Sequence, residues 1–241
     1  MNIVKKWWEI LRWHYRERHF RKFKKMSTGE IFSTIYRENV WGGKPGEFYS
    51  GEGTHDVDTV EYIERVIDFV KANNIKSIAE VGCGDFAIMK KILAKLPNVE
   101  YTGMDVVPDL ISYNKANNET DRIKFQVTDA IVDPLAPADL LIIRQVLQHL
   151  KNDDISSILR KIDAYKFALI SEHIPITKDA EPNLEKSTGP HIRMRSNSGV
   201  FIDKPPFSVK NTSTFFECRA DDKVKNKMIP AVIRTYLVKN S

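Results

Sequence analysis

Cysteine is scarce: Cys83 and Cys218 are the only two in 241 residues, and neither stands at a metal-ligand spacing. Two thiols cannot build a disulfide framework, so a reducing compartment, the cytoplasm, is expected. Long apolar runs are missing as well; none approaches the ~18 residues a membrane span needs. The opening MNIVKKWWEILRW lacks the apolar core and the small-residue cleavage site of a signal peptide. No internal repeat is visible, and no acid cluster suggests a catalytic metal, so no metal site is expected. What is present, 42% hydrophobic residues over this length, suffices for one large α/β domain or for a domain with an appendage.

Positive charge is abundant only at one end. Residues 1–26 hold nine Lys/Arg against Glu9 and Glu17, a net of +7, while the whole chain is +5, so the remaining residues sum to −2. An enzyme of nucleic acids carries its basic surface around the active site, so this placement argues against DNA or RNA as substrate. Within 1–26, Ile3, Val4, Trp7, Trp8, Leu11 and Tyr15 fall on one helical stripe. Such a basic amphipathic leader helix packs on its own domain, docks on a partner or lies on an anionic membrane surface, the last implying a peripheral position at the inner face of a membrane. Residues 27–56, rich in glycine and with aromatics at 36, 41, 48 and 49, read as a loop that folds over something, a lid.

From residue 57 to 241 the pattern is that of a single domain. Val60, Ile63, Val66, Ile67 and Val70 make a helical stripe, with Thr54 or Asp56 placed to cap it and Asn73–Asn74 to end it. Strands and helices then alternate: KSIAEVG, FAIMKKILAKL, VEYTGMD, PDLISYNKAN, RIKFQVTD, DLLIIRQV, NDDISSILRKI, KFALISEH. That alternation predicts a doubly wound, mostly parallel α/β sheet covered on both faces. Residues 175–211, with five prolines, read as a long irregular insertion of the kind that carries function. TFFECRA and PAVIRTYLVK suit an antiparallel C-terminal strand pair joined by a polar turn. Ligands of such sheets bind beyond the carboxyl ends of the strands, here Gly82/Gly84, Asp105, Asp129, Arg144/Gln145 and Glu172/His173.

Gly82-Cys83-Gly84-Asp85-Phe86-Ala87 satisfies G-x-G-x-x-A, and Asp105 follows Gly84 by 21 residues, the distance to a ribose-binding acid. By itself the corner fits NAD, FAD or S-adenosylmethionine. Glu80, just before the first glycine, is poorly placed for a pyrophosphate and well placed for a cationic α-amino group. Asp129 can accept from an adenine amino group, and RQVLQHL sets polar residues over the end of the cofactor that bears methionine.

With these blocks (EVGCGDF, YTGMD, FQVTDA and DLLIIRQVLQHL, in that order over about residues 55–173) the chain resembles the class I S-adenosylmethionine-dependent methyltransferases. It departs from their pattern where Phe86 stands in place of a third glycine. A narrower resemblance, to methyltransferases of bacterial surface-polysaccharide pathways, is carried by IYRENVWG, YSGEGT, CGDF, RQVLQHL and the late PN…GPHIR…DKPPF. The resemblance implies a Rossmann-like methyltransferase fold with S-adenosylmethionine held by Glu80, Gly82, Cys83, Gly84, Asp105, Val106, Asp129, Ala130, Arg144 and Gln145. It also implies a lid closing through Ser50 and Gly51, and an insertion that holds the acceptor. The acceptor would be a glycan precursor or sugar phosphate, methylated on oxygen.

A hydroxyl acceptor needs its proton removed, and histidine is the natural base near neutral pH. His149 and His173 follow strands four and five, and His149 is the first choice. His191, Arg193 and Arg195 form a cationic cluster suited to phosphate. The motifs for attack on nucleobases, Asn/Asp-Pro-Pro-Tyr/Phe and a Pro-Cys pair after the fourth strand, are absent. A small-metabolite or RNA methyltransferase, a nicotinamide-dependent oxidoreductase and a non-catalytic interaction protein stand as alternatives.

Overall fold

The computed structural model describes residues 23, 25–51, 59–224 and 227–240. Apart from Phe23, Lys25 and Met26 the leader lies outside these residues, its whole stripe included, as do the caps Thr54 and Asp56. The strands are β1 (Ser77–Val81), β2 (Glu100–Asp105), β3 (Ile123–Val127), β4 (Leu140–Arg144), β5 (Phe167–Pro175), β6 (Glu181–Pro182), β7 (Ser198–Gly199), β8 (Thr212–Arg219), β9 (Asp222–Val224), β10 (Lys227–Ile229) and β11 (Ala231–Lys239). The helices are α1 (Thr28–Arg37), α2 (Thr59–Ala72), α3 (Ala87–Ala94), α4 (Pro108–Asn118) and α5 (Asn152–Leu159).

Seven strands form one sheet in the order β3-β2-β1-β4-β5-β11-β8. The first five run parallel, and β11 is antiparallel to both β5 and β8. Alternating side chains of the central strands point into two separate cores, as a sheet covered on both faces requires. Ala79, Val81, Leu141, Ile143, Ala168 and Ile170 face the layer of α1 and α5. Ile78, Leu140, Ile142, Phe167 and Leu169 face α2 and α3. This is the expected doubly wound sheet with its antiparallel C-terminal pair.

Three local expectations change. The lid region is only half a loop: α1 occupies Thr28–Arg37, opened by a capping box in which Ser27 and Glu30 cap each other's backbone N–H groups. On α2 the stripe is turned: Val60 is 56% exposed, and Tyr62 and Phe69 are buried beside Val66, Ile67 and Val70. The polar turn before the last strand contains an additional hairpin, β9–β10.

The strand ends are staggered. β4 stops at Arg144 opposite Ser171, while β5 continues to Pro175, paired beyond that point only with β11. Glu172 and His173 therefore belong to a projecting ledge of β5 and not to the loop after it.

Candidate active site

The corner after β1 is built by backbone. Gly82 and Cys83 N–H groups donate to the Met104 carbonyl at 2.8 and 3.0 Å, which swings the chain across the end of β2. Both glycines have positive φ, 70° and 52°. A Cβ at Gly82 would lie 2.3 Å from Val146 Cγ2, and one at Gly84 would lie 2.4 Å from Ser50 Oγ. Only glycine allows this approach. Phe86, at the place of the missing third glycine, nonetheless adopts φ 63°. Its ring is buried 5.0 Å from Phe125 and 5.3 Å from Tyr101, and this packing offsets the ~1–2 kcal/mol of left-handed strain.

Carboxylates surround the corner. Asp105 accepts from the Gly84 and Val107 N–H groups at 3.2 and 3.1 Å. Burial pushes its carboxyl up to about 6 against the pull of these amides. Glu80 accepts a short hydrogen bond from the Tyr101 hydroxyl. Burial raises Glu80 to about 8, opposed by that hydroxyl and by the Arg144 cation. Asp129 accepts from the Ile131 N–H at 3.0 Å. Lys161 holds the rest of that loop, its Nζ donating to the carbonyls of Ala130, Ile131 and Asp133. Arg144 lies 5.1 Å above the Tyr62 ring and donates to the Gln145 side chain at 3.1 Å. Gln145 itself has φ 56°, a strained backbone at the junction of β4 and the next turn.

Glu80, Asp105, Asp129, Arg144 and Gln145 line one cleft that also includes Val106, Thr128, Ala130 and, from α1 and its following loop, Phe32, Tyr36 and Trp41. The loop lies closed on the glycine corner. Ser50 Oγ accepts from the Asp85 N–H at 2.9 Å and sits 3.0 Å from the Tyr36 hydroxyl, while the Ser50 N–H donates to Asp85. Gly51 faces a second pocket instead. Cys83 is buried, which raises its thiol.

The second pocket shares Trp41, Ser50, Gln145 and His149 with the cleft and continues to His173, His191, Arg195 and Lys223. His149 is thus in the wall between the two. Phe32 and Trp41 rings pack on it at 6.4 and 5.0 Å. Burial, reinforced by the Lys186 cation, drives its imidazole down to about 3, so it is neutral and a weak base. His173 Nε2 lies 2.6 Å from the Ala220 carbonyl, which places the proton on Nε2 and makes Nδ1 the acceptor. Arg193 is a correction: it does not face the pocket. Its guanidinium is 4% exposed and is spent on the Leu184, Gln148 and Leu150 carbonyls and on Asn152. A side chain that satisfies four internal oxygens is not available to a substrate.

Sequence reasoning missed Thr128, Lys161 and, in the aromatic wall, Phe32 and the helix α1 that carries it with Tyr36. A helix opened by Ser27-x-x-Glu30 was the available signal for the last of these. Among the described residues no group of three or more His, Cys, Asp or Glu is arranged to hold a metal ion, and no helix is long and apolar enough to cross a membrane.

The strand order and a cleft at the β1–β2 corner define the Rossmann-like methyltransferase fold. Residues 79–165 match the methyltransferase domain family. The release factor glutamine methyltransferase of Clostridium acetobutylicum is 26% identical over 114 residues, 45% of this chain, which spans only 40% of that relative's length. The N-methyltransferase NodS from Bradyrhizobium japonicum WM9, solved with S-adenosylhomocysteine, superposes with a TM-score of 0.58 at 11% identity, covering 86% of this chain and 98% of that one. The methyltransferase domain of bacterial CtHen1-C superposes at 0.50 with 12% identity, over 76% of this chain and 100% of that domain. Residues 79–165 thus match a methyltransferase domain, and the fold around them is the one shared by methyltransferases solved with S-adenosylhomocysteine. The residues here would suit S-adenosylmethionine: two bends that exclude any Cβ leave room for a close approach of the nucleoside, and buried Glu80 and Asp105 would offer acceptors for its ammonium and its hydroxyls.

Proposed function

We infer that the chain methylates an oxygen of a small acceptor held in the second pocket, and that this acceptor is a glycan precursor or sugar phosphate. The observation that carries the reading is the shared wall: one set of side chains, Trp41, Ser50, Gln145 and His149, bounds both the cofactor cleft and a separate polar pocket. Two substrates held on either side of a common boundary are oriented for direct transfer. S-adenosylmethionine supplies an activated methyl group, so the protein's work is to position the acceptor and manage its proton.

In this reading Asp105 takes the ribose hydroxyls, Asp129 the adenine amino group, Glu80 the ammonium and Arg144 the carboxylate, with Val106 and Ala130 beside the nucleoside. Asp85 and Asp105 disfavour a diphosphate in this cleft, which weighs against a nicotinamide dinucleotide. His149, neutral and weakly basic, suits an acceptor whose oxygen is already acidic better than an unactivated hydroxyl. The cations Arg195 and Lys223, set against Asp222, favour the phosphate arm. His173 and His191 complete the acceptor wall. The glycan source rests on sequence resemblance, and the +7 leader would bring the enzyme to the anionic membrane surface where such precursors are assembled.

Transfer of labelled methyl groups into fractionated cell extract, followed by mass analysis, tests the reading. Label in a phosphorylated sugar supports it; label confined to RNA or protein overturns the acceptor class. Absence of S-adenosylmethionine binding in calorimetry overturns the whole reading. Vesicle flotation with and without residues 1–26 tests the leader.

A further inference from the structure

We propose that Glu172 and Arg193 are positioning residues that clamp the turn after β4 from its two sides and so set His149 in the wall between the pockets. This rests on the reading that the wall orients the reacting groups. Glu172, on the β5 ledge, is fully buried and reaches the N–H side of the turn. Its Oε1 accepts from Leu147 and its Oε2 from Gln148, both at 2.9 Å. Arg193, from the 3₁₀ turn Arg193–Ser196 of the insertion, reaches the carbonyl side. It donates to Gln148 O at 3.3 Å and Leu150 O at 2.9 Å.

A carboxyl accepting from N–H groups on one side and a guanidinium donating to carbonyls on the other align successive peptide dipoles of the turn in the same sense. Each charge is therefore compensated through the turn and not by direct contact. Burial raises the Glu172 carboxyl to about 8, and both the turn's amides and Arg193 act against that rise. The preceding residue is tied too: the Gln145 N–H donates to Ser171 O at 2.7 Å. Stretches remote in sequence thus converge on six residues that neither could order alone. An unclamped turn of Gln145–Leu150 would let water reach the imidazole, which is now enclosed by Phe32 and Trp41 and faces the charges of Lys186 and His191.

The His149 ring titration reads the clamp directly. In full-length protein, ring signals assigned by loss in His149→Gln should stay those of the neutral form down to acid unfolding. In Glu172→Gln the midpoint should climb by about one pH unit or more toward the ordinary histidine value as the ring is rehydrated. With its carboxyl raised to about 8, Glu172 carries little charge in the range where the ring titrates, so an upward shift in Glu172→Gln reports the loosened turn and not a lost charge. Arg193→Met should do the same and Arg193→Lys less. S-adenosylhomocysteine affinity should fall by a smaller factor than the ring's proton affinity rises, because the turn borders only one side of the cleft while the corner of Gly82, Gly84 and Asp105 is held by β1 and β2. An unmoved midpoint in Glu172→Gln and Arg193→Met, or a shift matched by an equal loss of S-adenosylhomocysteine binding, overturns the proposal. If Arg193→Met does not fold, Glu172→Gln with Arg193→Lys carries the test. Failure of the wild type to bind S-adenosylhomocysteine would sink the functional reading and leave the titration to judge the clamp.

Discussion

The cofactor cleft and the second pocket share a wall, yet they are assembled by opposite means. Around the cleft, three of the acids are fixed by backbone two residues further on, Asp105 by Val107, Asp129 by Ile131 and Asp85 by Ala87, even where longer contacts such as Tyr101 on Glu80 add to them. Around the second pocket, position comes from far along the chain. Trp41 Nε1 donates to Pro190 O, Lys186 Nζ to His149 O, and Gly189 N–H to the same carbonyl. A locally built site keeps its chemistry when distant residues change. One assembled from remote segments can change its ligand by altering any of them.

Substitutions at the two ends should therefore separate cleanly. The largest effect expected is that of Asp105→Ala. It removes a charged acceptor of two hydroxyls and the tie to Gly84, about 3–4 kcal/mol, or several hundredfold in S-adenosylhomocysteine affinity by calorimetry. Acceptor KM at saturating cofactor should not move; if it does, the two ends are not independent. His149→Ala should lower kcat by about 100-fold, the low end for a proton-accepting group, because its imidazole is a weak base. Cofactor affinity should be unchanged, and turnover equal to the wild type would remove His149 from the chemistry.

Phe86→Gly would restore the third glycine of the family pattern. Relief of about 1 kcal/mol of strain is outweighed by about 3 kcal/mol or more of lost ring burial, so urea denaturation should show a protein about 2 kcal/mol less stable. A more stable variant would mean that the ring packing contributes little.

The smallest effect concerns pH. With Glu80 raised to about 8, the carboxyl of the free site is largely protonated at pH 6, and a bound ammonium favours its ionised form. Affinity for S-adenosylhomocysteine should then rise about tenfold between pH 6 and 7 and level off near 8, with a proton released on binding below that pH. Glu80→Gln should flatten the profile. A flat wild-type profile would take the ammonium away from Glu80.

This division also decides what was legible beforehand. The doubly wound alternation, the glycine corner and the acids at the ends of β1 to β3 follow from periodicity and short spacings, which is where local physics acts. The resemblance also brought Ser50 to the correct corner. Arg193 was misjudged because a cation in a polar loop looks the same whether it meets solvent or four buried oxygens. Glu172 drew notice only as a strand end, since the stagger between β4 and β5 is a property of pairing and not of either strand's composition. The capping box at Ser27–Glu30 was readable and went unread, hidden by the glycines that follow it.

Gln145 carries a consequence for evolution of this wall. A left-handed backbone there, φ 56°, admits glycine and asparagine readily and rejects Val, Ile and Thr. Among randomised clones at codon 145, survivors should be dominated by small amide or side-chain-free residues. Drift toward new acceptors would then proceed through positions 191, 195 and 223, with codon 145 nearly frozen.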